Sequence, residues 1–423
     1  MRFWVIYTGE PAPTDDGNLR LMRTGTLTQF LAERGHDVTW WNGKFDHRMK
    51  TMRTAPELCR IDNGGSPYTQ RLIPSPGYKK NLSFRRIWAQ KVAAKKFASL
   101  AAKCQMPDLI LCGYPTVELS LASVALGKRW GIPVVLEVRD LWPDTFLDFV
   151  PRPLRWAARL SLTGMFRDSR RSFAGAAGIT GNTSEMVKWG LERSGRDWGS
   201  WDQDFPLGSA AKPPTQEQQA QAREFWARKG VAPQEKVLYG CFFGVFSKRR
   251  EVDVLIQAAR ILEQKGVPFK FVLCGRGVNY DKCLQLSSGC SNVIMVDWIS
   301  WPKIYTLMEM SSVGFAPYES SPDFMASIPN KPYDYMSAGL VIVSSLQGKL
   351  KELLDQEGCG VTYPNKDVDA LVKILGDLYQ NPEQVKIMSQ KSLRLFNDKF
   401  SADTVFGGMC DYLEKIVAEH SRK

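Results

Sequence analysis

Short apolar runs rich in β-branched and aromatic residues alternate along this chain with longer stretches of helical period. In the first half the short runs fall at 3–7, 37–41, 109–112, 133–138 and 177–180. The helical stretches fall at 20–34, 82–103, 119–130 and 154–173. This strand–helix–strand rhythm predicts a parallel sheet covered on both faces, because parallel strands need a crossover long enough to be a helix. The rhythm stops between Ser194 and Thr215, where Gly195, Gly199, Pro206, Gly208, Pro213 and Pro214 crowd together with little apolar period. Such punctuation reads as a linker. Beyond it the alternation restarts, with strands expected at 237–243, 269–274, 293–295, 313–316 and 341–344. Helices are expected at 252–265, 304–310, 332–337, 350–355, 368–378 and 401–420. The expected class is α/β, with two Rossmann-like halves and a cleft between them. Ligands of such sheets sit at the carboxyl ends of the strands.

Composition narrows the function. The chain has 423 residues, 44% apolar and 24% charged, which suits two large globular domains and excludes disordered or collagen-like architectures. No apolar run approaches the roughly 20 residues that cross a bilayer. Residues 1–9 read as a buried first strand and not as a cleavable leader, so a cytoplasmic protein is expected. Nine cysteines without a CxxC pair, and three histidines without ligand spacing, argue against a disulfide scaffold and a zinc enzyme.

Charge is uneven. The net charge is +12, and residues 1–205 hold 30 Lys and Arg against 20 Asp and Glu. No acid occurs between Asp62 and Asp108, a stretch that holds Arg85, Arg86, Lys91, Lys95 and Lys96 among its bases. Such a field attracts phosphate-rich partners: nucleic acid, anionic lipid or a lipid diphosphate. A solvated helix face with no partner is the alternative.

Chemistry is concentrated in the second half. A dinucleotide fold needs G-x-G-x-x-G after a strand, but Gly275-Arg276-Gly277-Val278-Asn279-Tyr280 puts Tyr at the third glycine, and no Walker A loop occurs. Three other features suit a bound diphosphate. Gly244 opens a loop, 243–250, that carries Lys248 and Arg249, cations able to meet phosphate oxygens. Ser327 to Met336 starts a helix near Asn330, Lys331 and Pro332, and a helix start attracts anions; Asp334, one turn in, is a candidate for ribose hydroxyls. Trp298 follows a strand and either holds a nucleobase or packs in the core.

At these residues the chain resembles the family 4-type bacterial glycosyltransferases with the GT-B fold, in the branch that assembles O-antigen, capsule or exopolysaccharide. The resemblance is carried by 327–340 (SIPNKPYDYMSAGL), 137–144 (EVRDLWPD), 34–41 (RGHDVTWW) and 45–47 (FDH). It implies a domain for the acceptor at 1–205, one for a nucleotide-sugar donor at 206–400, and a C-terminal helix, 401–423, crossing back to the first. The implied reaction is a retaining transfer of a hexosyl or N-acetylhexosaminyl group to a lipid-diphosphate or saccharide acceptor, with no cofactor and no essential metal. Lys248 and Arg249 match the family's basic residues against the donor diphosphate, and Asp334 the second acid of its E-x7-E motif. The first acid is missing, since Ala326 stands there; Asp323 and Glu319 are candidate substitutes.

Donor contacts are therefore expected from Gly244, Gly275, Trp298, Ser327, Asn330, Lys331 and Asp334, and catalysis from Lys248, Arg249 and Asp140. Fixed cations aimed at a departing diphosphate stabilise the transition state more than the ground state. In the first half Gly17, Asn18 and Arg20 are expected at the acceptor. Asp140 or Glu137 would orient its hydroxyl, Arg139 its phosphate, and His47 is a further candidate. His36 reads as part of a turn. Phe84, Ile87, Trp88, Val92 and Phe97, and then Leu154, Trp156, Leu160, Leu162 and Phe166, are interleaved with Lys and Arg, as in interfacial helices. Peripheral binding to the cytoplasmic face of an anionic membrane follows as an expectation. The rival readings are a GT-B nucleotide-sugar epimerase and a basic nucleic-acid binder without enzymatic activity; no nucleic acid is expected, since RNP and helix-turn-helix signatures are lacking.

Overall fold

The computed structural model describes residues 1–15, 20–62, 65–81, 83–148, 150–209, 213–232 and 236–422. It divides into two units, Met1–Gly208 with Ala402–Lys423, and Ser209–Ser401.

The first unit holds β1 (Arg2–Ile6), β2 (Asp37–Gly43), β3 (Phe45–Asp46), β4 (Thr51–Met52), β5 (Leu58–Ile61), β6 (Tyr68–Ile73), β7 (Leu109–Tyr114), β8 (Val134–Val138), β9 (Gly178–Gly181) and β10 (Gln203–Asp204). Its main sheet runs β10-β9-β8-β7-β1-β2-β6-β5, parallel except for β5 against β6, while β3 and β4 form a separate hairpin. The central strands read as continuous apolar runs because helices cover both faces; β7 and β8 are buried along their whole length. The edge strand β5 and its neighbour β6 escape that pattern. In β6, Thr69 and Arg71 face partly outward between buried neighbours, and no apolar run announces the strand.

The closing helix, Ala402–His420, belongs to this unit. It buries Val405, Phe406, Met409, Leu413 and Ile416, one stripe of helical period. Arg34 pairs with Asp411 at 2.6 Å and Glu414 at 3.1 Å, and His36 Nε2 meets Glu414 at 2.8 Å. His36 thus ties the turn before β2 to that helix.

The second unit holds β11 (Leu238–Phe243), β12 (Phe269–Cys274), β13 (Val293–Val296), β14 (Val313–Ala316), β15 (Val341–Ser344) and β16 (Gly360–Thr362), all parallel in the order β13-β12-β11-β14-β15-β16. The helix Val252–Gln264 lays Val252, Leu255, Ala259 and Leu262 into this core. Beneath it Phe271 stacks on Phe315 with centroids 5.3 Å apart.

Three expectations change. The linker is shorter than 194–215: Asp202 accepts from Ile179 N at 2.8 Å and pairs with Arg196, and β10 extends the first sheet, so the chain passes between units at Gly208 and Ser209. The helix expected at 154–173 is two, Arg155–Ser161 and Thr163–Ala174. Helices Ser184–Ser194, Gln216–Arg228, Tyr280–Leu286 and Pro382–Leu395 stand where no element was expected. Gln216–Arg228 is started by a reciprocal capping box between Thr215 and Gln218.

Candidate functional site

In the second unit every strand points the same way, so the loops after β11, β12 and β14 emerge on one edge. Gly244 (φ +148°), Gly275 (φ +138°) and Gly277 (φ +151°) adopt backbone that side chains rarely tolerate. A Cβ on Gly275 would lie 1.8 Å from Gly244 O, and one on Gly277 would lie 2.5 Å from Phe246 O. Two loops are thereby laid backbone on backbone. Gly244 N donates to Cys274 O at 2.9 Å, Phe246 N to Arg276 O at 2.8 Å and Asn279 N to Phe246 O at 3.0 Å.

Lys331 enters this edge from the first turn of the helix Asn330–Ser337. A Cβ on Gly244 would meet its Nζ at 2.6 Å, so a side chain there would displace the ammonium. The Nζ lies 5.5 Å from the Phe242 ring and 5.9 Å from the Tyr318 ring. Burial, helped by Arg250 and opposed by Asp334, pushes its pKa down to about 7. Asn330 is exposed at the helix start, where the first N–H groups have no partner within the helix. Asp334 accepts from Ser209 Oγ at 3.2 Å.

The remaining donor-side candidates separate. Lys248 is exposed. Arg249 is not directed to open space: its Nη2 donates to Ser321 Oγ and to Asp323 Oδ1, and its guanidinium lies 4.3 Å from the Phe324 ring. Burial would raise the Asp323 carboxyl, but Arg249 and Ser321 outweigh it and hold the pKa below its ordinary value. Asp323 therefore fixes Arg249, and Glu319 stands 4.0 Å from Arg249 Nε. Ser327 spends its hydroxyl on Asp323 O at 3.1 Å. Trp298 is 58% exposed, which removes the core-packing alternative; Asp297 beside it pairs with Arg276 at 2.6 Å. Arg250 and Tyr318, which face Lys331, were missed; Arg250 adjoins the expected basic pair and carried no signal of its own.

In the first unit a pocket of about 240 Å³ opens where β1, β7 and β8 end, and His47, Tyr78, Arg86, Arg139, Asp140 and Trp142 help line it. Two expectations for it are corrected. Glu137 is enclosed: it accepts from Arg23 Nε and from Arg139 Nε and Nη2. Burial alone would raise its pKa, but Arg139 and Arg23 hold it down at about 2. Arg139 is likewise committed, with Nη1 on Glu10 and its guanidinium 4.1 Å from the Tyr7 ring. Glu10 in turn accepts from Thr24 N at 2.8 Å and Thr24 Oγ1 at 2.9 Å, at the start of the helix Arg23–Glu33. The Glu137–Arg139 pair builds the fold and leaves no charge for an acceptor.

Asp140 accepts from Leu141 N at 2.8 Å, Trp142 Nε1 at 3.0 Å and Thr145 Oγ1 at 3.2 Å. His47 Nδ1 lies 2.6 Å from Tyr78 Oη. Burial, with Arg86 and Lys50 adding, pushes its pKa down to about 4. Arg20 is exposed, and Gly17 and Asn18 lie outside the described residues.

Residues 238–381 match the family model described as "Glycosyl transferases group 1". The amylovoran biosynthesis glycosyltransferase AmsK of Erwinia amylovora is 24% identical over 178 residues, 40% of this chain; the match spans 43% of that protein, less than half its length. Sucrose-phosphate synthase from Thermosynechococcus elongatus superposes with a TM-score of 0.72 at 14% identity, covering 99% of each chain. HepE of Anabaena, solved in complex with UDP, superposes with a TM-score of 0.65 at 13% identity, covering 98% of this chain and 99% of the other.

Proposed function

We propose that this GT-B chain, whose second unit resembles the group 1 glycosyl transferases, moves a sugar from a nucleoside-diphosphate donor to an acceptor during assembly of a bacterial surface polysaccharide. The observation that carries the reading is the edge at Gly244, Gly275 and Lys331. Three glycines strip side chains from two crossing loops laid backbone on backbone, and the place of a side chain at Gly244 is taken by the end of Lys331, a lysine with no ion pair among the described residues. A diphosphate supplies the charge this edge lacks. HepE was solved with UDP, so uridine donors are the first to test.

The chemistry follows from charge. Cleaving a glycosyl–phosphate bond builds negative charge on the leaving diphosphate and positive charge on the anomeric carbon. Lys331 meets the phosphate as an ammonium, taking up a proton from solvent when the anion arrives. Asn330 and its neighbours add helix N–H groups, and Lys248 reaches in from the surface. Arg249, held by Asp323, presents a guanidinium already in place, which lowers reorganisation in the transition state. Asp334 takes the ribose and Trp298 the base. Transfer proceeds with retention and a hexosyl or N-acetylhexosaminyl group moves, as the family resemblance implies.

The acceptor belongs to the first unit's pocket, with Asp140 beside its hydroxyl. A lipid-linked acceptor brings the protein to an anionic membrane. Leu154, Trp156 and Leu160 stand exposed among Arg152, Arg155 and Arg159, as do Phe84 and Trp88 among Arg85 and Lys91, whereas Phe97 packs in the core. No helix among the described residues is long and apolar enough to cross a membrane, so contact would be peripheral.

The test is a panel of UDP-, GDP- and dTDP-sugars incubated with membrane extract as acceptor. Acceptor-dependent release of one nucleoside diphosphate is expected, and Gly275→Ala abolishes it. Interconversion of the sugar without acceptor would favour the epimerase. Release at the wild-type rate by Gly275→Ala would remove the assignment of the donor edge.

A further inference from the structure

Of the two arginines that line the first unit's pocket, Arg139 is ion-paired and Arg86 has no ion pair among the described residues. Arg86, on the helix Phe84–Ala101, lays its guanidinium 4.4 Å from the Trp142 ring and 5.8 Å from the Tyr78 ring. Its Nη1 donates to Asn81 O at 3.0 Å, and its Nε is buried without a partner. Lys50 comes in from the β3–β4 hairpin, 4.9 Å from the same Tyr78 ring, with its Nζ 3.2 Å from His47 Nδ1.

Of the surrounding acids, Asp46 and Asp140 are engaged elsewhere. Asp46 accepts from Arg48 N at 2.7 Å and Met49 N at 3.2 Å, and faces Arg48 and Arg53. Asp140 attracts Arg86 but accepts from Leu141, Trp142 and Thr145. Glu118, on the helix Val117–Trp130, is raised by burial against the pull of Lys91 and Arg86 and forms no ion pair with Arg86, and Arg139 is neutralised by Glu137 and Glu10. A desolvated guanidinium without a carboxylate is costly, and aromatic faces offset only part of the cost.

We infer that this pocket is an oxyanion subsite, centred on Arg86 where it rests on Trp142, and that it takes a phosphate or carboxylate group of the acceptor. The inference rests on the transferase reading for the word acceptor; the anion itself is argued from the pocket alone. Its oxygens fit the fork of Arg86, with Lys50 beside it. The field of the two cations already registers on a neighbour. Arg86 and Lys50 both lower the His47 pKa, and burial, the first cause in each case, brings Arg86 and Lys50 below their own ordinary values.

His47 is therefore the reporter. The chain has three histidines, His36, His47 and His420, all in the first unit, so the donor edge is silent in this measurement. The full chain, labelled at histidine Cε1 with carbon-13, is titrated by NMR in inorganic phosphate and in chloride of equal ionic strength. The expected result is a rise of about one unit in the His47 pKa in phosphate, with His36 and His420 unmoved. Arg86→Gln raises the His47 pKa without phosphate and loses the phosphate response; Arg86→Lys keeps part of it. Unchanged His36 and His420 signals show that each variant is folded.

A wild-type His47 that ignores phosphate, or an Arg86→Gln variant that responds in full, overturns the subsite. Repeating the titration with a short prenyl diphosphate and with a uronic acid separates the two sources, because the true group saturates at the lower concentration. Since no transfer is read, a silent His47 with intact nucleotide release removes only the subsite. A responsive His47 without nucleotide release removes only the transferase reading.

Discussion

Arg139 follows strand β8 in the first unit and is neutralised by Glu137 and Glu10. Lys331, at the sheet edge of the second unit, has no ion pair among the described residues and sits over aromatic rings beside Gly244. Both cations are largely withdrawn from water. One is matched by carboxylates that also hold Arg23 and the start of the helix Arg23–Glu33, so its charge is spent on architecture. The other has its pKa brought down to about 7 by burial, and we propose that it meets an anion from outside. In the proposed reading the difference separates stabilising charge from charge held for a ligand, with Arg86 on the side of Lys331.

The largest effect that would break this comparison is in the first unit. Glu137→Ala leaves Arg139 and Arg23 buried without their shared carboxylate, and should cost about 3–5 kcal/mol in urea unfolding of that unit. Nucleoside-diphosphate binding in the second unit should be unaffected. A loss below about 1 kcal/mol would mean that the pair does not hold the fold.

Lys331→Met should do the reverse. Turnover falls about a hundred- to thousandfold, equivalent to about 2.7–4 kcal/mol of barrier. Stability rises, because a lysine whose folded pKa is about 7 lies below its unfolded value of 10.5. The folded state binds fewer protons between those values, so the penalty grows as the pH falls from 10.5 to 7 and is complete below. The gain in melting temperature should therefore be full at pH 6 and vanish near pH 11.

The smallest effect concerns the exposed apolar patch. Trp156→Ser with Leu160→Ser should weaken binding to anionic vesicles several-fold, and salt should weaken the wild type similarly, through screening over about 8–10 Å. Equal binding by variant and wild type would remove this patch from membrane contact.

The central strands were legible because strands buried on both faces read as unbroken apolar runs; the linker was drawn too wide, because glycine and proline crowd over 194–215 while β10 still extends the first sheet. Gly244 and Gly275 stood out as glycines at strand ends, expected against a ligand; what the structure brings against Gly275 is the backbone of Gly244. The pairing of charges was not. Glu137 and Arg139 look the same in sequence whether they bind each other or a substrate, and the partners that decide it, Glu10 and Arg23, lie more than a hundred residues away. Arg249 depends in the same way on Asp323, 74 residues on. Arg86 stood among many bases, and only the packing of Trp142 and Tyr78 distinguishes it.

The central claim is that Lys331 meets the leaving diphosphate by gaining a proton. Calorimetry of the preferred nucleoside diphosphate at pH 8, in buffers of different ionisation enthalpy, counts that proton directly. The account predicts uptake approaching one proton by the wild type and none by Lys331→Met, with wild-type affinity falling up to about tenfold per pH unit above 7. Binding of equal strength and zero proton uptake in both proteins would contradict it.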